Sequence, residues 1–288
     1  MYLVSAATSP GSITIGDREV SRLGFGAMRV MGAGEAAPLL VRRAVDLGVQ
    51  FIDTADIYGD GASEEIIAEA LVPYPDDVLI ATKGGFVPGV VDRSRVVPGQ
   101  PLTAPLLPPD GRPEYLRRVC DASLRRLRVD TIELYQLHAP DPKVPFEDSV
   151  GALVELREEG KLRHIGVSNV NRKHLATALT ITPIASVQNR YNPTDRSSER
   201  VLEMCEEQGI AFLPWGPISA DNEAIDTIAS REHATPQQVA LAWLLARSPR
   251  MLPIPGTSSI AHLEENVAAL DLELSDDDIA AVSALGER

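Results

Sequence analysis

At 288 residues, with 44% hydrophobic and 24% charged positions and with 21 Gly and 22 Pro, the chain has the make-up of an ordinary globular protein, which excludes disordered and collagen-like classes. Its formal net charge of −14 repels phosphate backbones, so nucleic acid is not expected as a partner. The longest apolar run, 239–246, is far short of the roughly 20 residues of a membrane helix, so no membrane span is expected.

Met1 to Pro10 carry no Lys or Arg and no sustained apolar stretch, which fits neither a secretory signal nor a transit peptide and predicts a cytoplasmic protein. Ile13-Thr14-Ile15 and Glu19-Val20-Ser21 flank the turn signal Gly16-Asp17, a small hairpin. Beyond it, short β-rich runs alternate with amphipathic helical patterns. Strands are expected over 23–28, 51–53, 78–83, 132–138, 164–169, 186–191, 211–216 and 252–256. Helices are expected between and after them, over 36–47, 64–71, 114–127, 146–159, 172–179, 198–208, 236–246 and 260–270. Gly48, Gly160 and Gly209 follow three of these as left-handed caps. Cys120 and Cys205 fall inside helical patterns far apart in sequence, which reads as two buried thiols. Two stretches stand outside the alternation. Residues 84–113 form a Pro/Gly-rich excursion after the third strand, and 274–286 form an acidic-started helix capped by Ser275 that packs outside the main body. Eight β/α alternations with no break in composition predict a single (β/α)8 barrel over 1–288, with a doubly wound open sheet as the alternative.

Common signatures fail on inspection. Gly24-Phe25-Gly26 lacks the third glycine of a dinucleotide fingerprint, Gly160-Lys161 is followed by Leu162, and Gly166-Val167-Ser168-Asn169-Val170 lacks the closing Gly of a nucleophile elbow. The histidines at 138, 164, 174, 233 and 262 show no metal-ligand spacing, so no metal is expected. What remains is a set of polar residues at the carboxyl ends of adjacent strands, where barrel enzymes carry their catalytic groups. Asp53 ends the second strand, with Tyr58 in the loop after it; Lys83 ends the third and His138 the fourth. Each also has a structural explanation: a cap, loop packing, a solvated strand end, a core histidine. Their placement on one rim is the informative fact.

The motifs carry further. Asp53-Thr54-Ala55-Asp56-Ile57-Tyr58-Gly59, Thr82-Lys83, Leu134-Tyr135-Gln136-Leu137-His138, Ile165-Gly166-Val167-Ser168-Asn169, Val187-Gln188-Asn189-Arg190-Tyr191-Asn192, Pro214-Trp215-Gly216-Pro217 and Ile254-Pro255-Gly256-Thr257-Ser258-Ser259 with Leu263-Glu264-Glu265-Asn266 occur in order. In this the chain resembles the aldo-keto reductases from about Leu23 to Asn266, and within them bacterial reductases that include pyridoxal reductase. The resemblance implies an NADPH-dependent oxidoreductase that reduces small aldehydes or ketones to alcohols. It implies Tyr58 as general acid, Lys83 as the cation that lowers its pKa, Asp53 as the ion-pair partner of Lys83, and neutral His138 as hydrogen-bond donor to the carbonyl. Ser168, Asn169 and Gln188 would hold the nicotinamide carboxamide. Trp215, where most relatives carry Tyr, would stack on the ring. Gly216, Pro217 and Ile218 would run along the pyrophosphate. Gly256, Thr257, Ser258 and Ser259 would meet the adenosine 2′-phosphate at a helix start, with His262 nearby, and Glu265 and Asn266 would face the adenine. Relatives known for NADPH preference carry Lys at the position of Gly256 and Arg at that of His262, which weakens the preference expected here. Potassium-channel β subunits share the fold and bind NADPH, so a regulatory subunit is the alternative; no N-terminal inactivating segment is expected from the sequence. A metal- or phosphate-loop barrel isomerase or lyase lacks support. Finally, Phe86, Val87, Val90, Val91, Val96, Val97, Leu102, Leu106 and Leu107 of the long loop predict an apolar wall favouring aromatic or bulky aldehydes, pyridoxal among them, over hydrophilic sugars.

Overall fold

A computed structural model describes residues 11–89, 107–218 and 222–287. Strands β1 (Ser12–Ile15) and β2 (Arg18–Ser21) form the expected antiparallel hairpin. Seven further strands follow in parallel order: β3 (Phe25–Gly26), β4 (Phe51–Asp53), β5 (Leu79–Gly84), β6 (Ile132–Leu137), β7 (Leu162–Ser168), β8 (Ser186–Arg190) and β9 (Ala211–Trp215). The chain returns outside them through α1 (Ala37–Asp46), α2 (Ala62–Leu71), α3 (Pro113–Leu127), α4 (Phe146–Glu158), α5 (Arg172–Ile181), α6 (Glu199–Gln208), α7 (Glu223–Arg231), α8 (Pro236–Arg247), α9 (Ile260–Ala268) and α10 (Asp276–Ser283). Both faces of the parallel sheet are therefore covered, and β4, β5 and the C-terminal half of β6 are buried at every position.

The strand expected over 252–256 is not a regular strand, and the physical reason is its prolines. Pro253 and Pro255 have no N–H to donate, so the ladder toward β3 keeps only their carbonyls: Gly24 N donates to Pro253 O at 2.9 Å and Gly26 N to Pro255 O at 3.1 Å. On its other side, Phe212 N donates to Arg250 O at 2.8 Å and Leu252 N to Phe212 O at 2.9 Å. The segment thus closes the barrel between β9 and β3. The closure is tight: a Cβ on Gly26 would lie 2.6 Å from Ile254 O, and one on Gly256 2.8 Å from Gly26 O, so only glycine fits at either place. The fold is a (β/α)8 barrel, with this proline-interrupted stave as its eighth.

Two further regions differ from expectation. Strand 23–28 shortens to Phe25–Gly26, and Ala27–Ala36 winds into 3₁₀ turns. Helix α7 was not anticipated; Asn222 caps it by accepting from Ala224 N at 2.9 Å, and it buries Ile225, Ile228 and Ala229. The terminal helix starts as expected, where Ser275 and Asp278 form a capping box, and Arg231 of α7 pairs with Asp278 at 2.5 Å to hold it against the outside of the barrel. Inside the barrel, Phe51, Leu79, Ala81, Leu134, Ala211, Leu213, Leu252 and Ile254 pack in one cluster with Ile13, Ile15 and Val20 of the hairpin. The hairpin therefore plugs one end, and polar residues are left to the other.

Candidate active site

The open end sits where the parallel strands deliver their carboxyl termini. Asp53 ends β4, Lys83 lies one residue from the end of β5, and His138 follows β6. Parallel register sets them side by side: Asp53 is opposite Ala81, and Lys83 opposite Gln136. Lys83 is fully buried, and its Nζ donates to Asp53 Oδ2 at 2.7 Å, to Thr54 O at 2.7 Å and to Tyr58 OH at 3.5 Å. The other carboxylate oxygen, Asp53 Oδ1, accepts from Gln188 Nε2 at 2.8 Å and from Gln136 Nε2 at 3.3 Å. A buried ion pair needs such extra donors to offset the loss of water. Gln136 was missed as a site residue; its position two before His138, which puts both on one face of the strand, was the available signal.

Electrostatics follow from burial. Burial opposes charge on Lys83, but Asp53 and Tyr58 outweigh it and its pKa lies above the ordinary value, so it stays an ammonium. Burial pushes the Tyr58 phenol up, and Lys83 acts against that rise in the direction expected of the cation. Burial, followed by repulsion from Lys83, drives His138 well below its usual range, so the ring is neutral. Its Nδ1 is buried with no partner, and the ring meets Phe86 edge-on at 4.7 Å and Tyr58 at 6.1 Å between centroids.

These groups open onto a cavity of 590 Å³. Ser168, Asn169, Gln188, Trp215, Gly216, Pro217, Ile218 and Gly256 line it together with Asp53, Tyr58 and His138. Asn169 holds a left-handed backbone (φ 56°) and is a junction. Its Nδ2 donates to His138 O at 2.9 Å and to Ser168 Oγ at 3.1 Å, and its Oδ1 accepts from the Trp215 indole N–H at 3.1 Å. Arg190 lies over the Trp215 ring at 5.4 Å, which fixes the plane of the indole. Of the residues expected at the 2′-phosphate and adenine, only Gly256 lines the cavity. Thr257 is buried, with its Oγ1 accepting from Ser259 N at 3.0 Å; Ser259 caps α9 by accepting from His262 N; Ser258, His262 and Glu265 are exposed, and Asn266 is buried. Met28, Arg29 and Met31 of the 3₁₀ turns, with Gly26, Ile57, Gly59, Leu107 and Ile254, complete the wall, and of these only Leu107 was anticipated there. Glycines at 24, 26, 32 and 34 break the strand pattern there and were the readable sign of a turn.

The ends of the long loop are drawn together: Phe86 pairs with Pro109, and Val87 N donates to Pro108 O at 3.0 Å. Val90, Val91, Val96, Val97, Leu102 and Leu106 lie outside the described residues.

A cavity lined by a phenol and a neutral imidazole, with a buried ammonium behind the phenol, defines a carbonyl oxidoreductase of the barrel type. The comparisons agree. The Aldo/keto reductase family model matches residues 22–287, and the chain belongs to that family. It is 41% identical to an uncharacterised oxidoreductase of Schizosaccharomyces pombe, covering 98% of this chain and 92% of that protein. It is 37% identical to pyridoxine 4-dehydrogenase of Escherichia coli, covering 96% and 99%. An aldo-keto reductase of Klebsiella pneumoniae solved in complex with NADPH superposes with a TM-score of 0.78 at 28% identity, over 96% of this chain and 95% of that one. The protein is an NADP(H)-dependent oxidoreductase acting on small-molecule carbonyls. The reading as a regulatory subunit is not favoured. No helix among the described residues is long and apolar enough to cross a membrane.

Proposed function

We propose that the whole chain, 1–288, works as one barrel domain that reduces aromatic and other bulky apolar aldehydes, with Tyr58 as proton donor. The observation that carries this reading is Lys83 Nζ, clamped 2.7 Å from Asp53 Oδ2 and 3.5 Å from Tyr58 OH, directly behind the Asp53 and Tyr58 that line the cavity. The donor set suits a nicotinamide dinucleotide. Ser168, Asn169 and Gln188 offer hydroxyl and amide groups for a carboxamide, and Trp215 offers a flat face held by Asn169 and Arg190. Gly216, Pro217 and Ile218 give a small-residue wall for a pyrophosphate. Gly256, Thr257, Ser258, Ser259 and His262 lead to the start of α9, where a 2′-phosphate finds free helix-end donors, and Glu265 and Asn266 flank the adenine. When bound, NADPH supplies the hydride.

The chain's own residues do the rest. His138, neutral, donates a ring N–H to the carbonyl oxygen and orients the substrate. Tyr58 gives its proton to that oxygen as negative charge develops there. Burial keeps the phenol protonated beforehand, and Lys83 lowers the energy of the phenolate left behind. Asp53, held by Gln136 and Gln188, fixes Lys83 in place.

The substrate class follows from the wall. Met28, Met31, Ile57, Leu107, Trp215 and Ile218 line the cavity, and together with similarity to a protein named pyridoxine 4-dehydrogenase they support a flat aromatic aldehyde such as pyridoxal as substrate of this chain. A cytoplasmic location accords with the free, buried Cys120 and Cys205. The test is kcat/KM for pyridoxal and a substituted benzaldehyde against an open-chain sugar, in the native protein and in a Met28→Ser/Leu107→Ser variant. The aromatic aldehydes are expected to lead by at least about tenfold and to lose that lead in the variant. A preference for the sugar, or a ranking indifferent to the two substitutions, defeats the apolar-wall assignment.

A further inference from the structure

Strands β5 to β8 each bring one inward-facing residue to the same level of the barrel. Lys83 lies opposite Gln136, Gln136 opposite Gly166, and Gly166 opposite Ser186. This level stands one step toward the open end from the apolar level of Ala81 and Leu134. Gln136 and Ser186 are fully buried, so their polar atoms need partners inside the protein. Ser186 Oγ donates to Gln136 Oε1 at 3.3 Å, and Gln136 Nε2 donates to Asp53 Oδ1 at 3.3 Å. The contact from β8 to β6 passes over β7 where β7 has no side chain: a Cβ on Gly166 would lie 2.3 Å from Ser186 Oγ and 2.9 Å from Gln136 Cγ. The Gln136 amide fits one way round only, because turned over it would set its carbonyl oxygen against the Asp53 carboxylate. Asp53 Oδ1 has a second donor in Gln188 Nε2 at 2.8 Å, but the two glutamines differ in place. Gln188 lines the cavity, and Gln136 is not among the residues that do.

We propose that Gln136 is a positioning residue for the reduction: with its amide set by Ser186 across the gap at Gly166, it holds the Asp53 carboxylate so that Lys83 stays seated between Asp53 and Tyr58. The proposal rests on Tyr58 as proton donor. Gln188 faces the cavity, so it is the donor that a bound carboxamide draws on. Gln136 lies out of reach of any ligand and keeps its grip whether the cavity is full or empty. Without it, Oδ1 keeps a single donor, one that must serve the cofactor as well. Asp53 is then free to turn, and Lys83 Nζ, 2.7 Å from Oδ2 and 3.5 Å from Tyr58 OH, turns with it. A small misplacement of a group beside the reacting atoms is costly in rate. Ser186 and Gly166 do not line the cavity, so their part in the reaction runs through Gln136.

The chain's scarce lysines make the test direct: they are Lys83, Lys143, Lys161 and Lys173, and of these only Lys83 is buried. Lysine is labelled with the heavy nitrogen isotope and its side-chain ammonium signals are followed by NMR, the Lys83 signal being assigned by its loss in Lys83→Met. Proton exchange at the Lys83 ammonium is measured with NADPH bound and no aldehyde present. Single-turnover hydride transfer to an aromatic aldehyde and NADPH affinity by fluorescence are measured on the same wild-type, Gln136→Met and Ser186→Ala proteins. Gln136→Met, close in volume but without the amide, is expected to speed the exchange and slow the transfer by about tenfold each, with NADPH affinity within about twofold of wild type. Ser186→Ala is expected to move both in the same directions by about threefold. Exchange or transfer within about twofold of wild type in Gln136→Met, or an NADPH affinity that falls as far as the transfer rate, overturns the proposal. If Gln136→Met does not fold, Ser186→Ala decides: exchange or transfer unmoved there overturns it. The two readings fail separately. If Tyr58→Phe transfers hydride as fast as wild type while Gln136→Met still speeds the exchange, the proton-donor reading falls and the seating of Lys83 stands; if Tyr58→Phe is slow and Gln136→Met changes neither exchange nor transfer, the seating alone falls.

Discussion

Replacing Lys83 by Met keeps most of the side chain's volume and removes its charge from a site that is fully buried. Two separate losses follow. Asp53 Oδ2 loses its partner at 2.7 Å and keeps only the neutral donors Gln188, at 2.8 Å, and Gln136, at 3.3 Å, both on Oδ1. Breaking a buried pair from one side costs about 3–5 kcal/mol, since the remaining charge is stranded out of water. At roughly 2 °C per kcal/mol for a chain of this length, the melting midpoint should drop by about 6–10 °C. Tyr58 in turn loses the cation that offsets its burial, so its phenol rises further and the general-acid contribution, about 10²–10⁴ in rate, disappears. The double variant Asp53→Asn/Lys83→Met separates these effects. It removes the stranded charge while Gln136 and Gln188 still meet an amide oxygen, so it should regain most of the lost stability and none of the rate. The assay is thermal melting alongside NADPH consumption with an aromatic aldehyde on the same preparations. Lys83→Met with kcat within about threefold of wild type, or a double variant that regains turnover, would refute the reasoning.

Two further outcomes follow from other parts of the site. Thr257, Ser258, Ser259 and the start of α9 can meet a 2′-phosphate without the Lys and Arg of strongly selective relatives. A preference for NADPH over NADH of roughly tenfold in kcat/KM is expected, and His262→Arg should raise it by gripping phosphate with two donors; equal kcat/KM for both cofactors counts against this. Asp56 also links stability to pH. Its folded pKa of about 8 lies above the ordinary 3.8, so the stability it contributes is present below about pH 4 and is lost as pH rises to about 8. Urea unfolding should therefore show Asp56→Asn more stable than wild type by a few kcal/mol at about pH 8, with the two converging near about pH 4. A constant difference across that window would contradict the buried-carboxyl account.

Much of this was legible in the sequence because the barrel repeats one simple signal. Seven of the eight expected strands and each of the expected helices formed, since buried parallel strands read as apolar runs and the covering helices as amphipathic ones. Asp53, Lys83 and His138 could be placed on one rim because parallel register carries strand ends to the same side. The failures have physical causes. The stave over 250–255 closes the barrel through proline carbonyls, a pairing that strand propensity does not describe. Helix α7 is short and leans on Asn222 and on Ile225, Ile228 and Ala229, a spacing that was present but brief. The turns over Ala27–Ala36 carry Met28, Arg29 and Met31 to the cavity through tertiary contacts that no local pattern encodes. The lowering effect of Lys83 on Tyr58 was legible because a cation is visible in a sequence, whereas the burial that opposes it is not. The burial of Asp56 Oδ1 without a hydrogen-bond partner is invisible for the same reason.

The central claim is that the Tyr58 hydroxyl delivers the proton, and Tyr58→Phe tests it with the loss of a single oxygen. The ring still packs edge-on toward His138, and Lys83 keeps Asp53 and Thr54, so fold and cofactor groove should be untouched. Binding of NADPH by fluorescence titration and single-turnover hydride transfer to an aromatic aldehyde are measured on the same protein. The account predicts NADPH affinity within about twofold of wild type and a transfer rate lower by about 10²–10⁴. A transfer rate within about threefold of wild type, with NADPH bound normally, would contradict it.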